Sequence, residues 1–314
     1  MAISTTNLSD RTIGMVIVAQ DGTGDFNGTT ELCIQQAIDS VASGGWIYIK
    51  SGTYEISATI TVAAHGVKLS GVPNHTILEG QLDITILDIT RPACMLQDFT
   101  IQGLIAGINA NPMLKITAGT VERMIIQGRQ HGIEPRLGVN KIRTSTISCA
   151  GHIAINIVNA ACIANQIINN VSIYGEYGIY IENGNGANTI LGNEISSCDY
   201  AIYMIEAAHN NIINNNYMYG TKEQSIYLNN CSWNVINGNM ITTDADSDGI
   251  VLEDTEHNMV IGNMMECYAV STKTGLKEVG TTDYTLINSN NLTGFNTNFT
   301  IIGAATRIGV NGDA

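Results

Sequence analysis

Residues 176–181 read EYGIYI, residues 199–204 read DYAIYM, and residues 223–228 read EQSIYL. The starts of these three phrases lie 23 and 24 positions apart. A phrase that returns at a fixed interval of about 20–50 residues is typical of a solenoid, in which each coil contacts only its neighbours. The repeat therefore predicts a stack of similar coils.

Asparagine gives a second periodic signal. Asn170, Asn193, Asn216, Asn239 and Asn263 follow one another at intervals of 23, 23, 23 and 24 residues, within the pattern Asn-x-Ile-x-x-Asn-x-Ile. We expect four of these amides, those at positions 193, 216, 239 and 263, to form a ladder at a bend, each bonded to the coils above and below. Weaker copies upstream and one late copy bring the total to roughly nine or ten coils.

The repeat also predicts the strand register. Coils of this kind pair as parallel strands about 4.8 Å apart, and alternate residues point inward. Inward columns are therefore expected at Ile179, Ile202, Ile226 and Ile250, and at the residues two positions later.

One amphipathic helix is predicted, at residues 31–41. Ile34, Ala37, Ile38 and Val41 fall on one face, and Thr29 or Thr30 is placed to cap the first turn. Residues 1–14 are polar and are predicted to form a flexible arm. Residues 15–294 are assigned to the solenoid, and residues 295–314 to a carboxy-terminal cap or subunit-contact tail.

The amino-terminal segments carry a family resemblance. Residues 21–26 (DGTGDF), 34–39 (IQQAID), 44–49 (GGWIYI) and 52–54 (GTY) resemble the opening of the pectate-lyase-like superfamily. The resemblance implies an all-β fold, a right-handed parallel β-helix solenoid of roughly nine to ten coils with an amino-terminal capping helix. It leaves function open, because the superfamily includes lyases, hydrolases, epimerases and phage tailspikes.

Charge and composition restrict the partners. The net charge is −14, which disfavours nucleic-acid binding because that needs a broad basic surface. No apolar run is long enough to span a membrane, and the amino end has no visible signal peptide. The location is therefore left open among secreted, cell-surface and virion. The 7 cysteines are scattered and are interpreted as core residues.

The repeat places chemistry-bearing residues in outward columns. Glu176, Asp199 and Glu223, here the acidic column, precede the strand phrase on three successive coils. Stacked carboxylates are candidate general acids and bases or metal ligands. A larger set of outward tyrosines, here the tyrosine cluster, is predicted to bind sugar rings; it comprises Tyr177, Tyr180, Tyr200, Tyr203 and Tyr227. Stacked tyrosines can equally be plain cross-strand packing, and the carboxylates can point into water.

Two further patterns suggest ligands. Asp244, Asp246 and Asp248 have the D-x-D-x-D-G spacing of a calcium turn, although the bidentate Glu of a full EF-hand loop is replaced by Thr255. The alternative is a polar turn between coils.

A basic band at residues 123–143 contains Arg129, His131 and Arg136. Polysaccharide lyases of the resembled superfamily use a basic residue as catalytic base, which makes Arg129 and His131 catalytic candidates and Arg136 a substrate-binding candidate. Lyase signatures and the Asp-Pro-His motif of alginate epimerases are absent from the sequence, and Glu122 with Arg143 is predicted to form an inter-coil ion pair.

The leading hypothesis is a polysaccharide-binding β-helix protein that acts as a glycoside hydrolase or polysaccharide lyase along the acidic and tyrosine face, with Ca²⁺ as the one candidate cofactor. The alternative is a non-catalytic structural, surface or viral tailspike or fibre protein of the same fold, in which the β-helix is a rigid rod and the expected oligomer is a homotrimer. Short coils without long loops favour the rod.

Overall fold

The computed structural model describes residues 14–103, 111–128, 131–244, 246–268, 272–309 and 312–313. Nearly all regular structure in these residues is β-strand, arranged as three long parallel sheets. Each coil contributes one strand to sheet A, one to sheet B and one to sheet C in turn. The expected all-β parallel β-helix of about ten coils is confirmed.

Sheet A has 14 strands. In spatial order they are Phe26–Asn27, Met15–Ala19, Trp46–Ile49, Lys68–Ser70, Met95–Gln97, Thr120–Glu122, Lys141–Arg143, Gln166–Ile168, Thr189–Leu191, Ile212–Asn214, Val235–Asn237, Met259–Ile261, Leu286–Asn288 and Arg307–Ile308. Only the first strand departs from chain order.

Sheet B has 12 strands. They are Gly52–Ile56, Thr76–Gly80, Thr100–Gly103, Ile125–Gly128, Thr146–Cys149, Val171–Tyr174, Glu194–Ser196, Tyr217–Thr221, Met240–Thr243, Met264–Cys267, Asn291–Thr293 and Gly312–Asp313.

Sheet C has 11 strands and carries the predicted site. They are Ile60–Val62, Leu87–Ile89, Pro112–Thr117, His131–Leu137, Ile153–Ile157, Tyr177–Ile181, Tyr200–Met204, Gln224–Asn229, Asp248–Glu253, Thr274–Val279 and Thr297–Thr300. Strands of the last coil come from residues 295–314, so this segment adds to all three sheets.

The helix closes the amino-terminal end. It covers Glu31–Ser40, and Cys33, Ile34, Ala37 and Ile38 are buried on its inner face. The predicted end at residue 41 is one residue too long. Thr30 occupies the N-cap position, but its side chain makes no capping hydrogen bond.

The core runs through the solenoid as continuous columns. Ile179 pairs with Ile202, Ile202 with Ile226, and Ile226 with Ile250, and all four are fully buried. Burial of one such side chain is worth about 1.5–3 kcal/mol, so the repeated column supplies the main driving force. The predicted register of sheet C is confirmed.

Between sheets A and B the chain bends around the predicted asparagine ladder. Asn170, Asn193, Asn216, Asn239 and Asn263 are buried, and each Nδ2 donates to the Oδ1 of the next asparagine at 2.9–3.0 Å. A second ladder, which was not assigned from the sequence, lies between sheets C and A. Its members are Asn140, Asn165, Asn188, Asn211, Asn234 and Asn258.

All seven cysteines are buried thiols, as the sequence predicts. Burial raises the pKa of Cys162 to about 11 and that of Cys198 to about 12. These thiols stay protonated at neutral pH and act as small core residues. No helix in the described ranges has the length and apolar character needed to cross a membrane.

Candidate functional site

The outer face of sheet C brings the tyrosine cluster together. Tyr177 pairs in register with Tyr200, and Tyr180 pairs with Tyr203. Tyr203 in turn pairs with Tyr227. Two consecutive buried residues separate the two tyrosines of a strand, as between Tyr177 and Tyr180, so both face outward and the five phenols cover a continuous patch over three successive coils.

The rings of this cluster contact one another in two geometries. Tyr177 stacks on Tyr200 with centroids 5.2 Å apart, and Tyr180 stacks on Tyr203 at 5.6 Å. Tyr203 stacks on Tyr227 at 4.8 Å. Edge-to-face contacts join the two columns, for example Tyr200 with Tyr203 at 4.9 Å. All five side chains are half-buried, so the cluster is a packed aromatic surface that still faces solvent.

Two carboxylates fix the outer rings. The Tyr180 hydroxyl donates to Glu182 Oε2 at 2.6 Å, and the Tyr227 hydroxyl donates to Glu253. Partial burial and these carboxylates raise the pKa of both phenols above the usual range. Burial raises the pKa of Tyr177 to about 12. The phenols therefore stay protonated at neutral pH and can donate hydrogen bonds.

The acidic column is stacked as predicted, along the edge where the chain enters sheet C. The Asp199 N–H donates to the Glu176 carbonyl at 2.9 Å, and the Glu223 N–H donates to the Asp199 carbonyl at 3.0 Å. Glu176 and Glu223 are exposed, whereas Asp199 is half-buried. Lys222 Nζ lies 2.9 Å from Asp199 Oδ1, and this contact raises the pKa of Lys222. A lysine thus partly neutralises the middle of the column.

The same column extends upstream through a residue that was not assigned to it. The Glu176 N–H donates to the His152 carbonyl at 2.7 Å, which places His152 one coil before Glu176. The His152 ring meets His131 edge to face with centroids 5.4 Å apart. The columnar register could have revealed this, since residues 152 and 176 differ by one 24-residue interval.

His131 has one ring nitrogen committed to the backbone. Its Nδ1 lies 3.2 Å from the Ile153 N–H and accepts a hydrogen bond from it. Burial, with a contribution from His152, lowers the pKa of His131. In the neutral ring the proton is therefore on Nε2. Arg129, the other predicted base, lies outside the described residues.

Arg136 is held by ion pairs on the outer face of sheet C. Its Nη1 is 3.0 Å from Asp88 Oδ1, and its Nε is 3.6 Å from Glu134 Oε1. The predicted inter-coil pair is also present, with Arg143 Nη2 at 3.3 Å from Glu122 Oε2. Part of the basic band is therefore structural, and Arg136 lies three coils upstream of Tyr200.

The three aspartates of the predicted calcium turn do not converge. Asp244 and Asp246 are exposed, while Asp248 is 5% exposed. The Asp248 carboxylate accepts the Thr274 N–H at 2.7 Å and lies 3.9 Å from Lys277 Nζ. Within the part of the chain that the structure describes, no group of three or more His, Cys, Asp or Glu side chains could hold a metal ion.

Two amide side chains flank the tyrosine cluster without partners. Asn156 is in register with Tyr180, and Gln224 is in register with Tyr200. Asn156 Oδ1 and Gln224 Oε1 are buried and have no hydrogen-bond partner in the described residues. Buried polar atoms of this kind are rare in native proteins and mark positions where a ligand or water can bind.

A second aromatic surface was missed from the sequence. Trp233, His257 and Tyr284, here the aromatic ladder, stack with centroids 4.1 and 5.0 Å apart and planes within 7°. Each lies in the connection from sheet C to sheet A, directly before a residue of the second asparagine ladder or its equivalent, Thr285. Alignment of the residue before each of these asparagines would have revealed it.

Two shallow depressions adjoin these surfaces. One of about 740 Å³ lies at the exit edge of sheet C and is lined by Glu134, Asn159, Asn183 and Glu206 among others. The other, of about 450 Å³, includes His257, Tyr284 and Arg307 in its lining. Neither of these two depressions is lined by a residue of the tyrosine cluster.

Comparison with known proteins identifies a family and a set of folds. Residues 120–306 match the model of a family described as periplasmic copper-binding protein (NosD). No match to a curated protein sequence was found.

Several solved structures are similar to this chain. The A-module of the mannuronan C-5 epimerase AlgE6 from Azotobacter vinelandii is 16% identical with a TM-score of 0.66, over 90% of this chain and 95% of the other. The catalytic unit of a GH87 α-1,3-glucanase from Streptomyces thermodiastaticus is 12% identical with a TM-score of 0.63, over 95% and 68%. ORF18 of Geobacillus virus E2 is 17% identical with a TM-score of 0.54, over 95% and 60%. At these identities the likeness concerns the fold.

Proposed function

The chain belongs to the NosD family, and from that premise we propose that it binds polysaccharide along the outer face of sheet C. The tyrosine cluster carries the proposal. Half-buried phenol rings, packed over three coils and flanked by carboxylates, offer an apolar aromatic surface to sugar rings and hydrogen-bonding groups to their hydroxyls. Similar folds in a mannuronan epimerase and an α-1,3-glucanase support carbohydrate as the ligand class.

Catalysis is the second part of the proposal, and it rests on the acidic column. Neighbouring coils lie about 4.8 Å apart, so a carboxylate pair one coil apart, such as Glu176 and Asp199, suits a retaining glycosidase. A pair two coils apart, such as Glu176 and Glu223, suits an inverting one. Hydrolysis would use one carboxylic acid to protonate the leaving oxygen and one carboxylate as nucleophile or base.

A lyase reaction is a different form of the same proposal. It would use Arg129 or His131 as the base, with Arg136 beside the substrate. His131 supports it less well, because its Nδ1 already accepts the Ile153 N–H and its lowered pKa keeps the ring a weak base. Epimerisation is not proposed, because this sequence lacks the Asp-Pro-His motif of the alginate epimerases.

The second candidate function is a non-catalytic surface or tailspike protein. The open face of sheet C favours it, because the candidate residues lie on a flat sheet surface with shallow depressions at its edges. A viral protein of similar fold, ORF18 of Geobacillus virus E2, supports it as well. In that form the protein would bind polysaccharide without cleaving it, and the expected trimer belongs to this candidate.

Copper, which the family description names, has no site of three or more His, Cys, Asp or Glu ligands among the described side chains. Copper prefers thiolate, thioether and imidazole ligands. The cysteines are buried in the core, and His131 has one ring nitrogen bonded to the backbone. Within the described ranges no cluster of three or more His, Cys, Asp or Glu could hold a metal ion. We therefore assign copper no role at this face.

Calcium at Asp244, Asp246 and Asp248 stays a prediction. The test is the melting temperature with CaCl₂ and with EDTA, since a ligand that binds only the folded state raises it. Equal melting temperatures with CaCl₂ and with EDTA would refute the predicted calcium site.

Binding is tested with a panel of immobilised polysaccharides that includes mannuronan and α-1,3-glucan. Tyr203→Ala should weaken binding at least tenfold, because Tyr203 contacts four other rings of the cluster. Tyr217→Ala, on the outer face of sheet B, is the matched control and should bind like the wild type. Equal binding by both variants would refute the proposed face.

Catalysis is tested on every polysaccharide that binds. Glu176→Gln and Asp199→Asn should each reduce product formation at least a hundredfold without weakening binding. Cleavage that survives both substitutions would refute the assigned roles. Binding without detectable cleavage by the wild type would favour the tailspike candidate.

A further inference from the structure

The aromatic ladder is separate from the tyrosine cluster. Trp233 and Tyr284 are 57% and 54% exposed, so these rings are not needed to fill the core. They lie beyond the exit edge of sheet C, towards the carboxy-terminal end of the solenoid. Large exposed aromatic side chains in register are typical of surfaces that bind a ligand or partner.

The backbone beneath the ladder is strained. Trp233, His257 and Tyr284 have φ values of 63°, 57° and 54°, in the left-handed region that bulky residues rarely adopt. Upstream coils place Ala187 and Asn210 at the equivalent position, with φ of 59° in both. The left-handed position therefore recurs at this bend from coil to coil, and among these coils only the last three place a bulky ring there.

The ladder ends at the depression of about 450 Å³. His257 stacks on one face of the Tyr284 ring, which leaves the opposite face uncovered by the ladder. Ala304 and Ala305 also line the depression, and its volume is sufficient for one sugar-sized ring.

Two polar groups in the lining have no partner. Thr285 is 1% exposed, and its Oγ1 has no hydrogen-bond partner in the described residues. It stands where the preceding coil has Asn258, so the second asparagine ladder ends here. Arg307 is exposed, and no ion pair to it is found among the described side chains.

The acidic groups nearby are already used. Asp283 Oδ1 accepts the Tyr284 N–H at 2.9 Å and the Ala305 N–H at 2.7 Å. Glu256 Oε2 lies 3.7 Å from His257 Nδ1. Arg307 is therefore the positive group in the lining that is open to a ligand.

We propose that this depression binds one uronate residue of a polysaccharide. The sugar ring stacks on the free face of Tyr284, and its carboxylate pairs with Arg307. An aromatic face beside a guanidinium group suits an acidic sugar better than a neutral one. The choice of carbohydrate rests on the proposed function, but none of the residues of the sheet C face takes part.

Isothermal titration calorimetry with tetramannuronate and, as the neutral probe, maltotetraose tests the proposal. Tyr284→Ala should weaken tetramannuronate binding at least tenfold, and Tyr284→Phe, which keeps the ring, should stay within twofold of the wild type. Arg307→Gln should weaken tetramannuronate binding about tenfold and leave maltotetraose binding unchanged. Circular dichroism melts of each variant identify any loss of folding.

The two binding surfaces are separated by parallel titrations of Tyr203→Ala. If Tyr284→Ala binds tetramannuronate as the wild type does, the uronate subsite is refuted, whatever Tyr203→Ala does. If Tyr284→Ala weakens binding and Tyr203→Ala does not, the subsite stands and the proposed sheet C face fails. Absence of wild-type tetramannuronate binding, or equal loss of both probes in Arg307→Gln, overturns the assignment of a uronate.

Discussion

The first asparagine ladder and the tyrosine cluster share three coils and are both built from residues in register. The ladder faces the interior of the solenoid, whereas the cluster faces outward. The ladder is buried and runs without interruption from Asn170 to Asn290. The tyrosine cluster is outward and covers three coils, after which Val251 replaces the next tyrosine. A buried column whose amides bond six successive coils together is required by the fold, whereas an outward column of three coils is free to serve a ligand.

The largest effect on the free energy of unfolding is expected inside the first asparagine ladder. Asn216 Nδ2 donates to Asn239 Oδ1 and Ile190 O, both at 3.0 Å, and its Oδ1 accepts two hydrogen bonds from Asn193. Asn216→Ala leaves the buried partners on Asn193, Asn239 and Ile190 without these hydrogen bonds and should lower the free energy of unfolding by about 3–5 kcal/mol. Urea unfolding of both proteins measures this difference.

The control for this variant is Asn237→Ala, on the outer side of sheet A and half-exposed. It should change the free energy of unfolding by less than about 0.5 kcal/mol. Similar losses of unfolding free energy in both variants would contradict the proposed difference between buried columns and outward positions.

An intermediate effect is expected in the tyrosine cluster at alkaline pH. Burial raises the pKa of Tyr177 from 10.0 to about 12. Folding thus favours the neutral phenol, so its stabilising contribution is complete below pH 10 and is lost as the pH rises from 10 to 12. Melting temperatures should fall across this range, and less steeply in Tyr177→Phe.

The absorbance of tyrosinate as a function of pH measures the ionisation of the tyrosines directly. The cluster should ionise late together with the buried Tyr54, whose pKa burial also raises to about 12, and the late fraction should shrink in Tyr177→Phe. Ionisation of all tyrosines in one step near pH 10 would contradict the packing of the cluster.

The smallest effect is expected at the acidic column. The Lys222 and Asp199 side chains are 66% and 35% exposed. Such surface pairs contribute little, so Lys222→Ala should change the free energy of unfolding by less than about 0.5 kcal/mol, and the change should vanish in high salt. A loss above about 1 kcal/mol would make this outward column structural too.

The fold was predictable because the sequence repeats its own register. The interval of the asparagines and the alternation around Ile179 and Ile202 determine which residues face inward, and a parallel stack follows from in-register pairing. The face of Ile34, Ala37 and Ile38 likewise predicted the capping helix.

The partners of the candidate side chains were less predictable, because they depend on chi angles and on residues from other coils. Asp248 illustrates this: its spacing predicts a calcium turn, whereas its carboxylate bonds to the Thr274 N–H. The aromatic ladder was missed because Trp233, His257 and Tyr284 share no residue type, only a left-handed backbone position.

The first asparagine ladder also gives the solenoid an electrical direction. In every amide from Asn170 to Asn263, Nδ2 donates to the Oδ1 of the following coil. The amide dipoles therefore align along the axis, with their oxygens directed towards the amino-terminal coils, and each polarises the next. A stack of nearly identical coils is thereby a polar object whose two ends differ even before any surface residue is considered.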